Sequence, residues 1–371
     1  MSIPPFYYTD AMMNYNMGSQ HPLRPQRLKM TVDLLSAYGL TGSKIRLVEP
    51  ELAELDDLLE LHSPGFIEAL ASLDRGDSLD DAYRYGLGTG DNPIFPGIFE
   101  ASRRYSGASI CAAQSVLEGE SSIAFNISGG LHHAHYSRAA GFCVLNDCAL
   151  AVNRLRRRFD RVAYVDIDVH HGDGVQELFY DDPSVLTISI HELAHGFFPG
   201  TGHTWETGEE EGIGFSVNVP VAPATTDETW IYAWRNAALP ILKAFAPDAI
   251  VLQMGADPHY LDPLAHVCLT AQGWLTAVKD VKVLGVPIVA IGGGGYNLST
   301  VTRMWTLATA ALIGVELDDS VPATYTYQQQ IPELSDHALP DVPRLAAAQA
   351  MEFAVRSVEA IKQEIFAGFG L

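Results

Sequence analysis

Arg161-Val-Ala-Tyr-Val-Asp166-Ile-Asp168-Val-His170-His171-Gly-Asp173 begins as an apolar, β-branched run and then sets Asp, Asp and His at every second position. The first half reads as a buried strand. Side chains alternate between the faces of a strand, so Asp166, Asp168 and His170 are expected to project the same way. Two carboxylates and an imidazole at the end of a buried strand carry a desolvation cost that a cation offsets, and a metal ion is the economical answer.

Three other segments repeat the pattern. Ser122-Ile-Ala-Phe-Asn-Ile127 runs into Ser128-Gly-Gly-Leu-His132-His133, Asp248-Ala-Ile-Val-Leu-Gln-Met254 into Gly-Ala-Asp257, and Val286-Pro-Ile-Val-Ala-Ile291 into four glycines and Tyr296. In open α/β sheets, sites gather beyond the carboxyl ends of parallel strands. Four such ends bring Asp168, His170, Asp257, the His132–His133 pair and Tyr296 toward one pocket.

This combination resembles the histone deacetylase superfamily, in the branch of the acetoin-utilisation-type bacterial deacetylases. The similarity runs from His21-Pro-Leu-Arg-Pro-Gln-Arg27 through the glycines at 292–295. A lone Asp-x-Asp or His-His says little; all four motifs in this order, each after a strand, are specific. The resemblance implies an arginase/deacetylase-like fold of class α/β, a single-domain three-layer α/β/α sandwich on a mainly parallel central sheet. It also implies a zinc-dependent amidohydrolase, with iron(II) possible in the same place, that removes acetyl groups from acetyl-lysine. Hydrolysis of acetylated polyamines or of longer acyl-lysines uses the same chemistry. A non-catalytic acetyl-lysine binder is disfavoured because every catalytic position is filled.

Position by position, the resemblance makes Asp168, His170 and Asp257 the metal ligands, a set that leaves one position for water as a catalytic zinc site requires. Arginases share the fold, but their two-metal site needs carboxylates that Gly255-Ala-Asp257-Pro-His259 does not supply. Asp166 is expected to orient His132, and Asp173 to orient His133. His133 is the expected general base and acid, with His132 as electrostatic support. Asp166, Asp168, His170, Ser189 and Ile190 match the holders of a structural potassium ion. Tyr296 is expected to donate to the developing oxyanion. Phe142 and Phe198, with Gly141 and Leu264, match the walls of a tube for an acyl-lysine chain. Asp91 matches a rim carboxylate that grips substrate amides, and Arg27 a residue lining an internal exit channel for acetate. His171 is left as a packing residue. His191–His195 and Trp205–Glu211 are expected to give the chain a distinctive, partly acidic rim.

Other readings of the motifs fail on detail. A calcium loop needs Gly at its sixth position, where this chain has His171. A phosphate-binding loop needs Lys followed by Ser or Thr after its glycines, and neither follows Gly295. A glycosyltransferase-like Asp-x-Asp leaves the histidines without a role.

The motifs spread over the chain and must converge, so residues 1–371 are expected to form one domain. Helix-like stretches at 97–117, 146–158, 229–245 and 270–284 alternate with the apolar runs, the pattern of a parallel sheet covered on both faces. Residues 319–343, rich in Pro and Asp, read as a surface excursion and 346–366 as a closing helix. The formal net charge is −22. Such a surface repels nucleic acid and anionic membrane and favours cationic partners, here an acetylated protein or a small acetylated amine. The one basic cluster, Arg154 to Arg158, is expected to complement a helix dipole. Cys111, Cys143, Cys148 and Cys268 show no Cys-x-x-Cys spacing and read as reduced thiols of a cytoplasmic protein. The first twenty residues lack an apolar signal core, and no run approaches a membrane span.

Overall fold

The computed structural model describes residues 2–371. Its strands are β1 (Pro5–Tyr7), β2 (Arg46–Val48), β3 (Ile123–Asn126), β4 (Val162–Asp166), β5 (Val185–Glu192), β6 (Ser216–Val221), β7 (Ala249–Gln253) and β8 (Ile288–Ile291). They form one eight-stranded sheet in the order β2-β1-β3-β8-β7-β4-β5-β6, and every pairing is parallel. Every residue of β4, β5, β7 and β8 is buried. That is why β4, β7 and β8 read as nearly continuous apolar runs rather than alternating ones, whereas β5 alternates Leu186, Ile188 and Ile190 with buried Thr187, Ser189 and His191. Pro220 lies in β6, an edge strand, where a missing N–H breaks no internal ladder bond.

Helices flank the sheet to give the three-layer α/β/α architecture. Ile98–Leu117 and Asp147–Arg156 pack together over β1, β3, β4 and β7. A second series runs Gln26–Ala37, Leu298–Ile313, Ala271–Val283, Asp227–Ala233 and Arg344–Glu364, each packing on the next, and the last lies against β6. The helix expected over 229–245 is interrupted by a π-helical turn at Trp234–Ala238. Pro240 follows directly and cannot donate the usual i→i−4 bond, so a locally widened turn is the physical outcome. No helix among the described residues is long and apolar enough to cross a membrane.

Residues 319–343 are more than a surface excursion. Val321, Tyr325, Ile331 and Leu334 are buried against Met30 and Leu34 in a second small core.

Candidate active site

The strand expected to continue to His170 stops at Asp166. Beyond it, acidic side chains cap the backbone two residues on: Asp166 Oδ1 accepts the Asp168 amide at 3.1 Å, and Asp168 Oδ1 accepts the His170 amide at 3.0 Å. The short carboxylate of aspartate makes such turns readily. Turn geometry rather than strand alternation therefore sets these side chains, and the His132 ring lies against both Asp166 (Nδ1, 2.7 Å) and Asp168 (Nε2, 3.9 Å). Asp166 turns to His132 and Tyr164, whereas Asp168 and His170 meet Asp257.

Asp168, His170 and Asp257 are all buried, and each offers one ligand atom within 4.8 Å of the others. His170 Nδ1 lies 3.2 Å from Asp168 Oδ1 and 3.0 Å from Asp257 Oδ2. Donors on one tetrahedral zinc-sized ion sit roughly 3.4 Å apart, so the spacing fits such an ion. The remaining oxygens are engaged elsewhere. Asp168 Oδ2 accepts from Gln253 Nε2 at 3.0 Å and the Gly294 amide at 2.7 Å, and Asp257 Oδ1 from the Val169 amide at 2.9 Å. These bonds fix which atoms face the shared centre.

The electrostatics agree. Burial, and then the Asp168 charge, drives the Asp257 carboxyl up to about 7 against the opposing pull of His170. Burial disfavours a charged His170, but the two carboxylates override it and lift the imidazole to about 10. The trio draws positive charge to its centre, as two anionic donors and one imidazole do for a divalent cation.

The loop after β3 brings both histidines to this centre. His132 Nδ1 is 2.7 Å from Asp166 Oδ2, His133 Nδ1 is 2.7 Å from Asp173 Oδ1, and the two Nε2 atoms are 3.0 Å apart. Burial lowers the basicity of both, but Asp166 and Asp168 outweigh it at His132, whose pKa rises to about 9. At His133 burial is joined by the His132 charge, and despite Asp173 the pKa falls to about 4. His133 faces the cleft, and His132 does not. The loop itself is held by Asp147, which accepts the Gly130 and Leu131 amides and the Ser109 hydroxyl.

Above the cluster opens a cleft of about 380 Å³ lined by Asp91, Gly141, Phe142, Phe198, Leu264, His266 and Tyr296 among others. Phe142 adopts φ +70, a left-handed conformation that costs a non-glycine residue about 1–2 kcal/mol. The Tyr15 hydroxyl holds it there through the Phe142 carbonyl at 2.7 Å. A Cβ on Gly141 would meet the His133 ring at 2.5 Å and Phe198 at 2.8 Å, so only glycine lets the wall approach so closely. Gly293 and Gly295 have positive φ and swing Tyr296 into the cleft, where its amide bonds Asp262 Oδ2 at 2.7 Å. Asp91 is exposed at the mouth, and its carbonyl meets His21 Nε2 at 3.2 Å. Arg27 is buried beneath the floor, where it donates to the carbonyls of Gly293 (2.7 Å) and Gly295 (3.1 Å) and lies over Trp305. It lines two small cavities under the cleft. Ser189 and Ile190 are buried in β5, with Ser189 paired in register to Asp166 and its hydroxyl 2.9 Å from His191 Nδ1. His171 bonds Thr201 and Gln176, away from the cluster.

One expectation needs correction. His191 and Glu192 end a fully buried strand rather than forming a rim, because Ser189, Gly202 and His266 satisfy them internally. Glu206 likewise turns inward to accept the Gly202 and His203 amides. Arg154 and Arg156 lie in the last turn of the helix Asp147–Arg156, placed as expected to complement its dipole, and the cluster also forms ion pairs: Arg154 and Arg157 with Asp57, Arg157 also with Glu60, and Arg156 with Asp182. The sequence reading also missed Gln253, Asp262 and Tyr164. Gln253 and Tyr164 carried a signal, since each is a hydrogen-bonding residue in an otherwise apolar strand; Asp262 lies in a loop where an aspartate attracts no notice.

A profile of the histone deacetylase domain matches residues 21–312. The chain is 36% identical over 337 residues to the acetoin utilization protein AcuC of Bacillus subtilis, covering 88% of this chain and 87% of the relative. It is 36% identical over 340 residues to histone deacetylase 6 of Arabidopsis thaliana, covering 90% and 72%. It is 38% identical over 320 residues to histone deacetylase clr6 of Schizosaccharomyces pombe, covering 85% and 78%.

Proposed function

The chain belongs to the histone deacetylase family, and from that premise we propose that it removes acetyl groups from acetyl-lysine side chains with a zinc ion held by Asp168, His170 and Asp257. Iron(II) suits the same donors. One observation carries this reading. Two His–Asp pairs, each 2.7 Å, converge on a three-donor cluster at the floor of an aromatic-walled cleft.

When bound, the ion would polarise the amide carbonyl and acidify the attacking water. His133 takes the water's proton and returns it to the leaving amine, since it is the imidazole that faces the cleft and is the less basic of the pair. Asp173 at Nδ1 fixes the tautomer that leaves Nε2 able to accept. His132, held by Asp166, contributes positive charge to the developing transition state. Tyr296 donates its phenolic hydrogen to the carbonyl oxygen as negative charge builds there.

Phe142 and Phe198 flank the methylene chain, Gly141 and Leu264 complete the wall, and Asp91 accepts amide hydrogens of the substrate backbone outside it. The cavities lined by Arg27 receive acetate. Asp166, Asp168, His170, Ser189 and Ile190 hold a potassium ion that stiffens the strand ends. The whole chain acts as one catalytic domain in the cytoplasm.

The test is a comparison of kcat/KM for acetyl-lysine peptides, longer acyl-lysine peptides, acetylputrescine and acetylspermidine with the zinc-loaded enzyme. Acetyl-lysine peptides are expected to lead. A preference for the acetylated polyamines would overturn the protein-substrate reading, and turnover of none would overturn the proposal entirely.

A further inference from the structure

The loop after β7 serves three parts of the site: Asp257, the wall residue Leu264 and, through Asp262, the backbone of Tyr296. Its turn is built around His259, which is fully buried. His259 Nδ1 accepts the Leu261 amide at 3.1 Å, which leaves Nε2 to carry the ring proton. Nε2 lies 2.9 Å from Asp336 Oδ2. Arg303 Nη2 also approaches it, at 3.4 Å, but has only hydrogens to offer, so Asp336 is the acceptor. The His259 carbonyl accepts the Asp262 amide at 2.8 Å. Asp262 accepts the Leu264 amide at 3.0 Å and the Tyr296 amide at 2.7 Å.

Asp336 comes from outside the part of the chain that matches the family profile, which ends at 312. Its side chain is only 5% exposed. Besides His259 it accepts from the Ala271 amide at 2.7 Å and from Arg303 Nη2 at 2.8 Å. Gln272 grips its backbone from both sides, donating to the Asp336 carbonyl at 2.9 Å and accepting its amide at 3.1 Å. The small core around Tyr325 and Leu334 seats the segment.

We propose that Asp336 is a positioning residue for the deacetylase reaction: it anchors the His259 turn and thereby sets Asp257, Leu264 and Tyr296. The inference rests on the reading of Asp257 as a metal ligand. It treats the segment after residue 312 as part of the catalytic apparatus rather than as a decoration.

The test uses the full chain stripped of metal and titrated with cobalt(II) against a competing chelator, with the visible spectrum recorded, alongside steady-state kinetics of the zinc-loaded enzyme. Asp336→Ala is expected to weaken cobalt affinity by about tenfold, the lower edge of the effect of losing a residue that supports a metal ligand. It should also alter the cobalt bands and lower kcat more than it changes KM. Glu352→Ala, also beyond residue 312 but exposed on the helix Arg344–Glu364 and paired with Arg356, should change none of these. Undiminished affinity and an unchanged spectrum in folded Asp336→Ala would overturn the proposal. If that variant does not fold, Asp336→Asn takes its place: it keeps one acceptor oxygen and should show a smaller weakening, and no weakening again overturns the proposal. Failure of the wild-type chain to bind cobalt would instead overturn the metal reading of Asp257.

Discussion

Tyr296 presents its phenol to the cleft, and among the described residues no hydrogen bond engages its hydroxyl. The group is free to meet an oxygen that gains charge. Tyr296→Phe keeps the ring and deletes the donor, so kcat should fall by roughly two to three orders of magnitude with a far smaller change in KM. Wild-type kcat in that variant would take Tyr296 out of the mechanism. His62 carries a consequence of another kind. It is fully buried, with Nδ1 donating to the His135 carbonyl at 3.0 Å and Nε2 accepting the Asn146 amide at 3.0 Å. Those partners suit the neutral ring, and burial drives its pKa down to about 4 against the opposing carbonyls. The unfolded chain takes up this proton near pH 6.5, well before the folded one does. His62 therefore contributes stability that is fully present above pH 6.5 and is lost as pH falls toward 4, about 3 kcal/mol in all. Urea unfolding at pH 7, 5.5 and 4.5 should show the decline, and His62→Gln should flatten it. An equally steep decline in that variant would place the acid sensitivity elsewhere.

At the scale of the element, Gly107 shows where local preference and packing disagree. It sits within the helix Ile98–Leu117, where alanine is favoured over glycine by about 1 kcal/mol. A Cβ there would lie 2.1 Å from the Glu51 carbonyl oxygen and 2.6 Å from the Ala53 amide nitrogen. Backbone on both sides cannot yield, so Gly107→Ala should lower Tm despite its better propensity; a raised Tm would show that the 51–53 segment moves aside freely. The same tension explains what the sequence made legible. β3, β4, β7 and β8 could be read as buried strands because they are apolar almost to their last residue. The four motif-bearing ends followed from that, and the convergence of Asp168, His170, Asp257, His132, His133 and Tyr296 with them. The end of β4 at Asp166 was not legible, because aspartates that cap their own backbone stop the strand before His170. The core role of Val321, Tyr325, Ile331 and Leu334 was hidden by their spacing in a Pro- and Asp-rich stretch, which shows neither helical nor strand periodicity. Arg154 and its neighbours found carboxylates from elsewhere in the chain, and no local pattern reports such partners.

At the scale of the whole molecule, the sheet order sets how the site is assembled. β2, β1 and β3 form one run and β7, β4, β5 and β6 another; β8, the last strand in sequence, lies between them and is the only strand paired to both. His132 and His133 follow β3, on one side of that seam, while Asp166, Asp168, His170 and Asp257 follow strands on the other. Such non-local pairing is slow to form, because the chain must close long loops before contacts reward it. Synthesis from the N-terminus delivers β8 last, and until it pairs no strand joins the half that carries His132 and His133 to the half that carries Asp168, His170 and Asp257. A copy cut short before Ile288 loses this keystone and Tyr296 together, so it is expected to be silent in a deacetylase assay rather than weakly active.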